Sequence, residues 1–203
     1  MRKIAALLLA SGLLVSCVGI DSKLTINDNG SGTLVLTYRI SQLVIDLGVS
    51  TSTRGAVPLP ISKEDFDRSL VNAKGKVRLT KFQRTENEQD VTIAAELSFD
   101  SVEALAQVDA FQDAQLKLAV DGSRKTFTEV IARAPAEPVS EDSLRMVDAL
   151  FNGYGLTFII QAPKAIQSLT LGTLAADKRV LSYSASIQEI MKTRGDIVLS
   201  VSW

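Results

Sequence analysis

The sequence predicts a single α+β domain built on mostly antiparallel sheet, with helices packed on one face. Three observations predict it. Short stretches of strict apolar and polar alternation recur along the chain, and Asn-Gly or Asp-Gly turns separate several of them. Serine-capped amphipathic segments interrupt the strands, so that helices fall between groups of strands rather than after each one. The chain has 203 residues, 46% of them hydrophobic, enough for one domain with a sizeable core.

The first segment is not expected to belong to that domain. Arg2 and Lys3 give a positive start, and Ile4 to Val15 is an apolar run broken only by Ser11 and Gly12. This is the layout of a secretory signal peptide, too short for a transmembrane helix, which needs ~20 apolar residues. The run ends in Leu14-Val15-Ser16-Cys17, around the only cysteine of the chain. That stretch resembles the bacterial lipobox. The resemblance implies a diacylglycerol thioether on the Cys17 sulfur, cleavage after Ser16, and fatty acylation, palmitate among the chains, at the new amino terminus. Residues 1–16 are then signal peptide, 17–22 a lipidated short tether and 23–203 the envelope domain. A catalytic thiol is disfavoured, because no histidine exists to lower its pKa. Two or more acyl chains give stable anchoring where one would be marginal.

Removal of the first 16 residues leaves 187 and takes two of the 22 basic residues, so that 20 face 23 acidic ones. No basic tract interleaved with aromatics indicates a nucleic-acid partner. The five residues Val18 to Ser22 reach at most ~18 Å, which keeps the domain close to its membrane.

From there the elements follow in order. Leu24 and Ile26 alternate with polar residues, Asp28-Asn29-Gly30-Ser31-Gly32 turns the chain, and Leu34, Leu36, Tyr38 and Ile40 share one face. The turn is not an EF-hand loop, since position twelve from Asp28 is Arg39 rather than glutamate. Gln42 to Gly48 is apolar almost all round and is expected in the core. Val49 to Ile61, "VSTSTRGAVPLPI", has no period, and Ala56-Val57-Pro58-Leu59-Pro60 is the least polar irregular stretch of the mature chain. Val57 and Leu59 are the candidates for ligand or membrane contact.

Ser62 caps a helix with Phe66, Leu70 and Ala73 on one face, stopped by Gly75. Val77 to Gln83 and Val91 to Phe99 are predicted strands, the second with Val91, Ile93, Ala95, Leu97 and Phe99 inward. Asp100-Ser101 caps a short helix. Strands at Leu116 to Val120 and Lys125 to Ala132 flank the turn at Asp121-Gly122, and Ser140 caps a helix carrying Leu144, Val147, Leu150 and Phe151. Strands at Leu156 to Gln161, Ile166 to Leu171 and Val180 to Ala185, a helix at Ile187 to Lys192 and a last strand to Trp203 complete the chain. Trp203 is assigned to the core, since interleaved helices argue against an outer-membrane barrel.

The hairpin "LTINDNGSGTLVLTYRIS" behind the lipobox, the stretch "KVRLTKFQRTENEQDVTIAAELSFDSVEAL" and the late "LTFIIQAPKAIQSL" together resemble the LppM-type bacterial lipoprotein domain. Members of that family often continue into a C-terminal transmembrane helix, whereas Trp203 ends this sequence and leaves Cys17 as the expected anchor. The resemblance implies an α+β envelope lipoprotein with no cofactor and no established enzymatic activity. It implies binding of envelope lipid or glycolipid, and a neighbouring envelope protein is the other partner considered.

The absence of histidine excludes Ser-His-Asp and Cys-His catalysis and the usual zinc sites. No glycine-rich phosphate loop is present. A carboxylate-dependent hydrolase is the alternative reading, because a glycosidase needs only two carboxylates at a set separation. Glu96, Glu129 and Asp46 are its candidates. Each has a plainer reading: the wet face of a strand for Glu96, an ion pair across the sheet for Glu129, a cap or outward position for Asp46. The expected protein is a non-enzymatic lipoprotein anchored through Cys17, at the outer membrane or cell surface in a host with two membranes.

Overall fold

The computed structural model describes residues 18–42, 45, 59–135, 139–151 and 153–203. The fold is α+β and mostly antiparallel, and its strands divide between two sheets. β1 (Val18–Ile26) and β2 (Gly32–Ser41) form the expected hairpin, with Leu24, Ile26, Leu34, Leu36, Tyr38 and Ile40 all buried. Its turn is closed by Asn27 N donating to the Ser31 carbonyl at 2.8 Å and by the Ser31 hydroxyl donating to Asn29 Oδ1 at 2.7 Å. Gly32 is required where the strands diverge. A Cβ there would lie 1.9 Å from the Thr25 carbonyl oxygen and 2.6 Å from Phe99 Cζ.

The residues expected to tether the domain are part of it. β1 begins at Val18, so Val18 to Ser22 lie in the sheet, paired with Ile40 to Leu36 of β2. Gly19 and Ile20 look like linker in sequence because alternation starts only at Leu24, but ladder hydrogen bonds from β2 extend the strand to Val18.

α1 (Lys63–Ser69) starts at a Ser62 capping box closed by Asp65, and its Phe66 meets Phe82 edge to face at 5.7 Å between centroids. The chain then tightens through a 3₁₀ turn at Val71–Ala73 into β3 (Val77–Glu86) and β4 (Asp90–Phe99); the odd-numbered side chains of β4 are buried as the alternation predicts, whereas in β3 Val77 alone is buried and the register shifts between Leu79 and Lys81. α2 (Val102–Leu105) is capped by Ser101 and followed by a 3₁₀ segment at Asp109–Ala114. β5 (Lys117–Asp121), β6 (Arg124–Ala132), α3 (Glu141–Phe151), β7 (Gly155–Gln161), β10 (Val180–Ser186), α4 (Ile187–Lys192) and β11 (Ile197–Ser202) fall close to their predicted ranges.

The expected strand at Ile166 to Leu171 is a correction. Only β8 (Ser168–Leu169) and β9 (Thr173–Leu174) form there. Ile166 N bonds the Lys178 carbonyl near the first sheet, Gln167 N and Thr170 N bond Ser202 and Ser200 in the second, and β9 returns to pair with β10 in the first. A segment that changes sheets twice within ten residues cannot run as one strand.

The first sheet has seven strands in the order β3-β4-β2-β1-β7-β10-β9, and the second has four in the order β5-β6-β11-β8. β1 and β7 run parallel, with Ile20 beside Leu156, while the other paired strands are antiparallel. Both sheets contribute to one core, Ile93, Leu97 and Ile160 from the first and Phe127, Leu199 and Trp203 from the second. The phenol of buried Tyr38 donates to the Pro60 carbonyl, which fixes the approach to α1.

Candidate functional site

The strand directions bring five chain ends together. β1 starts, β2 ends, β4 starts, β7 starts and β10 ends at one edge of the first sheet, the edge at which Val18 opens β1. On the solvent side of that edge lies a groove of about 510 Å³. Its floor is Gly19 and Asp21 of β1, Gly155 and Thr157 of β7, and Ser184 and Ser186 of β10. A Cβ at Gly155 would come within 2.9 Å of the Ala185 carbonyl, so the floor is bare backbone where β7 meets β10.

One wall is Arg39 and Tyr154. The guanidinium stacks over the Tyr154 ring, 5.1 Å from its centroid, and Arg39 Nη2 donates to the Gly153 carbonyl at 2.8 Å. The Tyr154 hydroxyl donates to Asp90 Oδ1. Burial first, then the hydrogen bond and charge of Asp90, push this phenol up to about 12 against the opposing effect of Arg39. Tyr154 is therefore a neutral donor at physiological pH. The other wall is Glu189, at the start of α4, whose Oε2 accepts from the Ser186 amide at 2.7 Å and the Ser186 hydroxyl at 2.8 Å. Those two bonds, the amide first, hold the Glu189 carboxyl below its ordinary range.

The sequence-derived candidates scatter. Cys17, Asp46 and Val57 lie outside the described residues. Leu59 is half-buried and packs against the core, next to the Pro60 carbonyl that receives Tyr38. Glu96 stands on the solvent face of the first sheet and pairs with Lys81 at 2.6 Å, an arrangement that lowers its pKa through the Lys81 hydrogen bond first. Glu129 corrects the expected cross-sheet ion pair. In the register of β6 and β11 it lies opposite Leu199, on the face that also carries buried Phe127 and Val201, and among the described residues no salt bridge holds it. Burial alone pushes its carboxyl up to about 8. Glu96 and Glu129 thus sit on different sheets and do not face each other as the two carboxylates of a glycosidase do.

Sequence reasoning missed Arg39, Tyr154, Asp21 and Glu189. A signal was present in Gly153-Tyr154-Gly155, since a glycine opening a strand marks a close backbone approach. Nothing local marks Arg39, which alternation assigns to the wet face of β2.

The architecture is that of a two-sheet α+β domain, and one solved structure shares the fold. The NMR structure of the folded domain of LppM from Mycobacterium tuberculosis superposes with a TM-score of 0.50, over 92% of this chain and 88% of that one. The two are 14% identical, so the likeness is one of fold. No protein-family model matches the sequence, and no curated protein is similar to it.

Proposed function

We propose that the protein is a bacterial envelope lipoprotein without catalytic activity, anchored through acylated Cys17, whose domain binds an envelope lipid or glycolipid, or a neighbouring envelope protein, at the anchored edge. The observation that carries this reading is the start of β1 at Val18. With no free linker between Cys17 and the sheet, an acyl chain on Cys17 holds the groove at the headgroup level, because Gly19 in its floor is two residues, ~7 Å at most, from that cysteine. The fold shared with the LppM domain supports the same reading. The stretch with Val57 and Leu59 follows β2, which ends at the same edge, and is proposed to border the contact with the membrane.

The test is Cys17→Ser in a bacterial host. The variant is expected to stay at precursor size and to take up no labelled fatty acid. A variant that still runs at mature size and carries label would sink the proposal. Replacing Val57 and Leu59 together with Ser is expected to weaken membrane association of the unacylated chain. A fall of ~2 kcal/mol or more in stability instead would assign both side chains to the core.

A further inference from the structure

The groove carries charges of both signs in a fixed arrangement. Arg39 is held from behind by the Gly153 carbonyl and the Tyr154 face, and among the described residues it has no carboxylate within ion-pair distance. Asp21 pairs in the strand register with Thr37, and Arg39 stands two residues further along β2. The two side chains are thus diagonal neighbours on one sheet face, with roots about 7–8 Å apart, near enough for their tips to take hold of the two ends of one small zwitterion. Asp21 is likewise without an ion pair among the described residues.

We propose that this groove recognises a phosphoethanolamine-type headgroup, the phosphate on Arg39 and the primary ammonium on Asp21, with Glu189 on the far wall. The inference rests on the membrane-edge reading above and names the ligand class for it. Three observations select that class. An arginine fork suits a phosphate oxygen pair, and Arg39 lines the groove with one of its nitrogens engaged by the Gly153 carbonyl. A purely anionic headgroup is disfavoured, since the groove sets two carboxylates against one guanidinium. A quaternary ammonium is disfavoured because it binds best on open aromatic faces, and the face of Tyr154 is covered by Arg39. The acyl chains need no pocket, because they stay in the bilayer beside those on Cys17. The lining of glycine, serine and threonine leaves room for a headgroup in a groove about three strand spacings wide, roughly 14 Å.

The test uses the mature acylated chain in nanodiscs of phosphatidylethanolamine, phosphatidylcholine and phosphatidylglycerol in equal parts, with the lipids retained on release counted by native mass spectrometry. Phosphatidylethanolamine is expected to be retained about five-fold over either competitor, the factor of roughly one charge-assisted hydrogen bond. Asp21→Asn should erase its advantage over phosphatidylcholine, and Arg39→Ala should lower retention of all three. Because Arg39→Ala also loses the Gly153 contact, Arg39→Lys is run beside it and should keep part of the retention. Soluble glycerophosphoethanolamine added to the nanodiscs identifies the source. Displacement of the lipid at low concentration points to a free phosphoethanolamine compound, and resistance to it points to the membrane. Equal retention of the three lipids overturns the headgroup assignment and leaves lipid binding standing. Retention of none by the parent chain overturns both.

Discussion

The two sheets obey the same alternation rule with different strictness. In the first, the inward positions of β2 and β4 are apolar throughout, from Leu34 to Ile40 and from Val91 to Phe99. In the second, the inward face places Glu129 among Phe127, Leu199 and Val201, and the buried Trp203 leaves its Nε1 donor without a partner among the described residues. The inward faces of β2 and β4 thus carry no carboxylate, and the shifted groups Glu96 and Tyr154 sit on the solvent side of the first sheet. The inward face of the second holds two polar groups that burial penalises, one of them a carboxyl whose titration is coupled to folding.

The comparison is broken most forcefully at Gly32. Its added Cβ would meet the Thr25 backbone as well as the Phe99 ring, so the β1–β2 hairpin must open to admit it. Gly32→Ala is expected to cost about 4 kcal/mol or more, read by urea denaturation of the mature chain. A cost under about 1 kcal/mol would mean that the hairpin is not the rigid centre of the sheet.

A matched pair of truncations sharpens it. Leu97 in the first sheet and Leu199 in the second are both 0% exposed. Leu97→Ala leaves an apolar void and should cost about 3 kcal/mol. Leu199→Ala opens its void beside the Glu129 carboxyl, where water can enter and solvate a group that burial had penalised. Its cost is expected to be smaller, about 2 kcal/mol. Equal losses would erase the distinction between the sheets.

How far these features were legible depended on the range of the cause. The alternation of Val91 to Phe99, the capping serines at 62 and 101 and the helix at Ile187 to Lys192 are local, set by neighbours within four residues, and the sequence predicts them closely. The division into two sheets, the parallel pairing of β1 with β7 and the short β8 and β9 arise from contacts between distant segments. So does the groove, whose Arg39 and Tyr154 are 115 positions apart and meet only because β1 brings β2 and β7 to one edge. Glu129 was visible as a strand carboxylate, but its face could not be assigned without the register of β11.

Glu129 gives the pH-dependent prediction. Below about pH 4.5 the folded and unfolded chains both hold its proton. Between 4.5 and about 8 only the folded chain does, so stability falls as pH rises, and above 8 both states are ionised and the loss is complete. At 1.36 kcal/mol per pKa unit the ceiling is about 5 kcal/mol, and the side chain's remaining contact with solvent lowers the expected loss to on the order of 2 kcal/mol. Glu129→Gln should flatten the stability profile between pH 5 and 9. A wild-type profile already flat across that window would mean that the carboxyl reaches water.

The smallest effect is expected at Trp203. Its side chain is 3% exposed, so it contributes apolar area to the second sheet, yet its indole N–H finds no acceptor among the described residues. Trp203→Phe removes part of the ring, a loss of packing, and removes the unsatisfied donor as well, a gain on the order of 1–3 kcal/mol. The two changes oppose each other, so the net shift in stability should stay within about 1 kcal/mol, against the roughly 3 kcal/mol expected at Leu97 for the same number of deleted heavy atoms. A loss as large as that at Leu97 would show that the indole N–H is bonded to a buried water in solution, and the second sheet would then hold one penalised polar group rather than two.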